Sequence, residues 1–228
     1  MTRPEQLTPT PTGPVPAGPV PSSAAEARQQ ILLVAGQLAE RGLLSASGHG
    51  NISCRLPGAD EVCYTATSDL RTLTEDRIAR LGLDGEVRSG QLTELALGGA
   101  RMHLAVYAAR PAAGSVVHSH APFATAYAVA GRPIGCWAEP LAIFGMPAGV
   151  PVLPYAERGS EQAQRLISQA AQEESVSAVL LGGHGVLAFG ATPAAALHVL
   201  TLVEEAAQLG IRAAGLGGAQ LLPAEARQ

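Results

Sequence analysis

The chain has 228 residues, 47% hydrophobic but only 4% aromatic and 15% charged, with a formal net charge of -4. That length suits one large domain or two small ones, with enough chain to bury a core. No uninterrupted apolar run suggests a membrane span, and a net negative balance gives no electrostatic footprint for nucleic acid. All 15 basic residues are arginine, so Schiff-base catalysis by a chain lysine and a lysine-bearing phosphate loop are both excluded. The opening MTRPEQLTPTPTGP has no apolar segment after Arg3 and does not read as a secretory signal, so the expected compartment is cytoplasmic. Cys54, Cys63 and Cys136 form no C-x-x-C pair; Cys54 and Cys63 read as half-buried strand cysteines.

In chain order, residues 1–22 carry seven prolines and predict a disordered, Pro-rich tail. The domain opens with a capping box from Ser23 to Glu26. A helix follows, with Ile31, Val34, Ala35 and Leu38 on one face, ending near Gly42. NISCRL (51–56) and EVCYTAT (61–67) flank Pro57-Gly58 and predict a hairpin. Thr74-Glu75-Asp76 starts a short helix, and two short strands surround Asp84-Gly85. A helix is predicted from about Gly98 to Arg110, stopped by Pro111. SVVHSH (115–120) is a strand, 121–131 a helix with an early Pro122, and VPVLPY a short strand. Ser160 caps a helix to about Gln172, and 177–181 and 185–190 are strands. The last helix starts at Thr192-Pro193, and residues after Gly215 read as a flexible tail. Hairpin and crossover signals together predict an α/β domain over 23–214, a mixed sheet covered by helices.

Three segments carry chemistry. His118 and His120 stand two apart on a predicted strand, so their imidazoles project to one face and suit one transition metal, although H-x-H also occurs on solvated strands. In LLGGHGVLAFG, His184 ends a hydrophobic strand among Gly182, Gly183 and Gly185; the alternative is a tight hairpin with an exposed histidine. Three histidines without an obvious fourth ligand suggest an open, catalytic metal site. In SASGHGNIS (45–53), glycines around His49 and a following Asn51 form a loop whose N–H groups suit an anion or a substrate oxygen, as well as an ordinary turn.

Taken in order, GNIS-x-R (50–55), YTATS (64–68), RMHLAVY (101–107), VVHSHAPFATA (116–126) and LLGGHGVLAFG (180–190) resemble the class II aldolase/adducin family. The resemblance runs from about residue 24 to 210. It implies a three-layer α/β/α domain with a central mixed sheet, a homotetramer with sites at subunit interfaces, and one divalent metal ion. Zinc leads as that metal, with iron(II), manganese or cobalt as alternatives. By the same resemblance His118, His120 and His184 match the metal ligands, and Asn51 the substrate-loop asparagine. The family's sugar-phosphate aldolases carry a Ser-Ser-Glu triplet whose glutamate binds metal and moves a proton; Leu97, Gly98 and Gly99 stand there instead. Thr67-Ser68 replaces a Thr-Gly phosphate loop.

A missing general acid/base normally costs about 10²–10⁴-fold in rate, so standard sugar-phosphate cleavage is not expected. The expected function is a metal-dependent lyase that breaks a C–C bond beside a carbonyl in a small, non-phosphorylated oxo or hydroxy acid. Decarboxylation ranks ahead of aldol cleavage. The stretches CWAEPLAIFG and VPVLPYAERGSE resemble a subgroup containing iron-dependent oxidative decarboxylases, which keeps an Fe(II) oxygenase as an alternative. A non-catalytic scaffold, as in adducins, is another. Catalytic candidates are Glu139, ahead of Glu94, and His49; substrate contacts are Asn51, Thr67, Ser68, Gly98 and Gly99. His103 is assigned to packing, and Tyr155 and Arg158 flank the mouth, where they suit either a carboxylate or a loop role.

Overall fold

The structure, a computed structural model, describes residues 18–227. One eight-stranded sheet organises the chain: β1 Gly50–Arg55, β2 Glu61–Thr65, β3 Ile78–Gly82, β4 Val87–Ser89, β5 Ser115–Ser119, β6 Val152–Leu153, β7 Ala178–Leu181 and β8 Gly185–Gly190. Their spatial order is β4-β3-β2-β1-β5-β8-β7-β6, antiparallel throughout except for the parallel β6–β7 pair. The helices are α1 Ala24–Glu40, α2 Glu94–Ala109, α3 Pro122–Ala130, α4 Glu139–Ile143, α5 Glu161–Gln172 and α6 Pro193–Ala214.

Strand alternation sends successive side chains to opposite faces, and here it divides the interior in two. Val117, Val186 and Ala188 pack with Leu38 of α1, Ala124 of α3 and Leu200 of α6. Val116, Leu187 and Phe189 pack with Met102 and Val106 of α2 and Ile167 of α5. The expected mixed sheet is therefore sandwiched as α/β/α. His118 and His120 have the parity of Val116 and face the α2/α5 layer.

α6 is apolar enough by composition to suit a bilayer, but 61% of its most apolar stretch is buried in the protein. It is the central core helix of the α1/α3 layer.

Several elements depart from the sequence reading. The second helix begins four residues early, because Thr93 Oγ1 accepts the Ala96 N–H at 3.2 Å. Gly98 and Gly99 consequently lie inside it, and the cap and core packing outweigh their helix penalty of about 1 kcal/mol each. Cys54 and Cys63 are direct register partners but wholly buried rather than half-buried, sealed under α1. Burial pushes the Cys54 thiol up to about 12, and both cysteines are free.

The expectation of a disordered tail falls outside the described residues for 1–17. Within 18–22 the chain touches the domain at two points: Pro21 is buried and the Pro19 carbonyl accepts Gln30 Nε2 at 2.9 Å. At the other end the chain after Gly215 is largely exposed and touches the domain at two points. Leu222 N–H donates to the Cys136 carbonyl at 2.9 Å, and Ala224–Arg227 form a 3-10 turn against α4.

α3 leaves β5 immediately after His120 and has no side-chain cap of its own. Its first amides are met from α6: the buried Glu204 carboxylate accepts Phe123 N–H at 2.9 Å and Ala124 N–H at 2.7 Å. Burial raises this carboxyl's pKa, opposed by the two amide bonds. Glu204→Ala leaves both donors unmet and is expected to cost about 1–3 kcal/mol in urea unfolding. Glu204→Gln retains an acceptor and should lose less; equal losses would contradict the capping role.

Candidate metal centre and its surroundings

The β5–β8 register and the β7–β8 hairpin build the histidine cluster. His118 pairs with Leu187 in β8, and His184 sits in the three-residue turn closing Leu181 onto Gly185. That turn is the tight hairpin weighed as an alternative, yet its histidine is directed inward. The Gly183 N–H donates to the Ala128 carbonyl at 3.0 Å, tying the turn to α3. Ring centroids of the three histidines lie 4.9 Å (118–120), 4.7 Å (118–184) and 5.1 Å (120–184) apart. One ligand nitrogen from each falls within 4.8 Å of the others.

Gly185 makes this approach possible: a Cβ there would sit 2.7 Å from His120 Cδ2 and 2.7 Å from the Ser119 carbonyl.

The protonation states suit a cation. Burial holds the His118 imidazole well below its usual range, reinforced by its two histidine neighbours. His184 is held down to about 4, by burial first and then by His120 and Arg158. His118 Nδ1–H donates to the Val186 carbonyl at 2.9 Å, which fixes the tautomer and leaves Nε2 as the acceptor nitrogen. His120 Nε2 is buried with no hydrogen-bond partner. A buried imidazole nitrogen without a partner, in a ring beside two other histidines, fits a divalent ion, and three ligands leave coordination positions open.

Around this cluster the sheet places the expected substrate loop. Asn51 in β1 is register partner to His118, and Thr67 and Ser68 line with it a small cavity of about 30 Å³. His49 is exposed on the preceding loop, its ring 6.4 Å from that of His120; it belongs to the rim rather than to the cluster. Glu94 and Glu139 are both exposed, at the first positions of α2 and α4. Among the described residues, neither carboxylate joins the group of histidine nitrogens.

The space at Gly99, where the sequence resemblance implies a glutamate, is filled. A Cβ at Gly99 would meet the Tyr64 hydroxyl oxygen at 2.6 Å and Asn51 Nδ2 at 3.1 Å. Tyr64, buried and donating its O–H to the Ala96 carbonyl at 3.0 Å, occupies that space. A carboxylate cannot be restored at position 99 without displacing it.

A second arrangement escaped sequence reasoning, which gave His103 only a packing role. His103 is fully buried in α2; its Nε2 lies 2.6 Å from Asn51 Oδ1 and its Nδ1 2.8 Å from Ser53 Oγ. Ser53 Oγ in turn lies 2.7 Å from the Tyr107 hydroxyl. Because Asn51 Oδ1 only accepts, His103 Nε2 carries the proton, and Nδ1 accepts from Ser53. The chain of bonds thus turns the Asn51 NH₂ toward Gly99 and the cavity. The sequence signal was available: His103 follows Gly99 by one helical turn, on the same face.

Burial holds His103 down to about 3, so it stays neutral in the fold while the unfolded chain protonates near 6.5. Its stabilisation is therefore complete above about pH 6.5 and lost as pH falls. Urea unfolding of wild type and His103→Gln should show the wild-type advantage shrinking by on the order of 2 kcal/mol from about pH 7 to about pH 5. An advantage independent of pH would contradict this account.

Residues 29–211 match the model of the Class II Aldolase and Adducin N-terminal domain. The chain is 36% identical over 125 residues to 5-methylthioribulose-1-phosphate/5-deoxyribulose-1-phosphate aldolase of Rhodospirillum rubrum, a stretch spanning 55% of each protein. It is 29% identical over 191 residues to 3-oxo-tetronate 4-phosphate decarboxylase of Escherichia coli K12, covering 80% of this chain and 84% of the relative. Its fold superposes on an L-fuculose 1-phosphate aldolase with TM-score 0.80 at 24% identity, over 90% of this chain and 93% of that one. The chain belongs to the class II aldolase and adducin family, and these relatives mark it as a carbon–carbon lyase in general kind.

Proposed function

We propose that this protein is a metal-dependent lyase that decarboxylates a small, non-phosphorylated oxo acid. The carrying observation is a cluster of three neutral imidazoles which, among the described residues, no carboxylate joins. Class II aldolases use a divalent metal, and His118, His120 and His184 are the residues that hold it in our reading. Zinc suits three imidazole nitrogens; iron(II), manganese and cobalt suit them as well. When bound, such an ion polarises an adjacent carbonyl.

The remaining chemistry falls to the chain. Decarboxylation needs no base to begin: the C–C bond breaks, its electron pair stays with the carbon next to the carbonyl, and CO₂ leaves. Aldol cleavage must first remove a hydroxyl proton, and among the described residues no carboxylate joins the histidine nitrogens to take it. The Asn51 NH₂ is placed to donate to a substrate oxygen as negative charge develops on it. Thr67 and Ser68 offer hydroxyls to the substrate, whereas the space at Gly99 is taken by Tyr64, so the expected substrate contact there is given up. Leu97 and Gly98 stand at the positions of the phosphate-binding serines, which supports a substrate without phosphate.

The product carbon must finally gain a proton. We assign that step to Glu139 of a neighbouring copy in a homotetramer, with His49 at the rim as relay. Its exposure at the head of α4 supports donation across an interface. A retired scaffold is disfavoured, because keeping an unpartnered, buried His120 Nε2 costs stability with no return.

Protein reconstituted with zinc, iron(II), manganese or cobalt and given a panel of 3-oxo acids should release CO₂ only when loaded. His118→Ala should lower the rate at least about 10²-fold, and Glu139→Gln by about 10²-fold. Aldol cleavage without CO₂ release, or CO₂ release that survives His118→Ala, would overturn the assignment.

A further inference from the structure

The loop between β6 and α5 carries an arginine that neither the fold nor the histidine cluster uses. Gly159, at φ +74°, lies directly on α2: a Cβ there would sit 2.7 Å from both Cα and the carbonyl oxygen of Gly98. That close approach lays Arg158 over the glycine pair, with its Nε 3.7 Å from where a Cβ of residue 98 would stand.

The side chain is half-buried and bridges two small cavities. It lines one of about 20 Å³ with His184 and one of about 30 Å³ with Asn51, Thr67 and Ser68. Among the described residues, Arg158 has no ion-pair partner; the three salt bridges lie elsewhere.

A half-buried guanidinium without an ion-pair partner, lying beside a set of imidazoles, is ready to meet a negative group. Where the family carries a negative carboxylate, this site carries a positive group. We propose that Arg158 is a substrate-binding residue that takes a carboxylate of the substrate, so that the reactant is a dicarboxylic oxo acid. The planar fork matches a carboxylate in two parallel hydrogen bonds, and the nearby Thr67 and Ser68 hydroxyls add donors.

The carboxylate held is not the one that leaves. A guanidinium on the departing group would stabilise the ground state and oppose loss of CO₂. Arg158 therefore anchors the far end, while the reacting end lies toward the histidines. This rests on the lyase reading for the direction of the substrate, but the presence of an anion site at Arg158 is separately measurable.

The test is calorimetric titration of zinc-loaded protein with malate and with lactate, which share a 2-hydroxy acid head and differ by the second carboxylate. Wild type should bind malate about tenfold or more tightly than lactate, as expected for a hydrogen-bonded charge pair. In Arg158→Gln the preference should fall to about twofold or less at unchanged zinc content, with Arg158→Lys between the two. Inorganic phosphate should displace malate only weakly.

A preference unaltered in Arg158→Gln, or absent from wild type, would overturn the proposal. Phosphate displacing malate at equal concentration would assign the site to a phosphate group instead and overturn the carboxylate assignment. The same titrations in metal-free protein separate the two readings. A malate preference there that depends on Arg158 upholds the anion site even if CO₂ release from every 3-oxo acid fails.

Discussion

Three imidazoles held within 4.8 Å of one another, all buried enough to stay neutral, are the constraint around which the rest of the molecule is arranged. Bringing three such rings together without a cation leaves at least one polar nitrogen unmet, as His120 Nε2 shows. The fold accepts that cost and supports it. The β5–β8 register sets His118 beside the turn of His184, and the absence of a side chain at Gly185 lets the rings close. The Val186 carbonyl fixes which nitrogen of His118 faces inward. Glu204 secures the chain just beyond His120 by meeting the first amides of α3.

The opposite wall of the site is closed in a consistent way. Removing a carboxylate at position 99 would leave a hole beside a buried amide; Tyr64 fills it from β2 and bonds to the first turns of α2. With the space closed and the negative charge gone, the same helix face accepts Arg158 from the loop ahead of α5. The charge nearest the cluster on this side is therefore the positive one of Arg158. Under the reading proposed above, such a site takes anionic reactants and chemistry in which the substrate supplies its own electrons.

Much of this was legible in the sequence because it depends on short-range geometry. Two histidines two apart on a strand must share a face, and a histidine among glycines after a buried strand must lie at a turn. The sheet, its helices and the capping box at Ser23 follow from periodicity and local capping. What was hidden depends on tertiary placement. The start of α2 was obscured because Gly98-Gly99 argue locally against a helix that distant packing imposes. α4 is five residues long and gives no periodicity to read. The role of His103 depends on β1 lying across from α2, and that of Arg158 on a loop meeting a helix some sixty residues earlier in the chain. No local pattern distinguishes an arginine in a pocket from one in solvent.

The central claim is that these three rings converge on one cation. Crystals grown with cobalt(II) or zinc, measured at the metal's absorption edge, test it most directly. One anomalous peak per chain is expected, about 2.0–2.2 Å from a nitrogen of each of residues 118, 120 and 184. A peak bound by other side chains, or none at all with the histidine rings turned apart, would contradict the account.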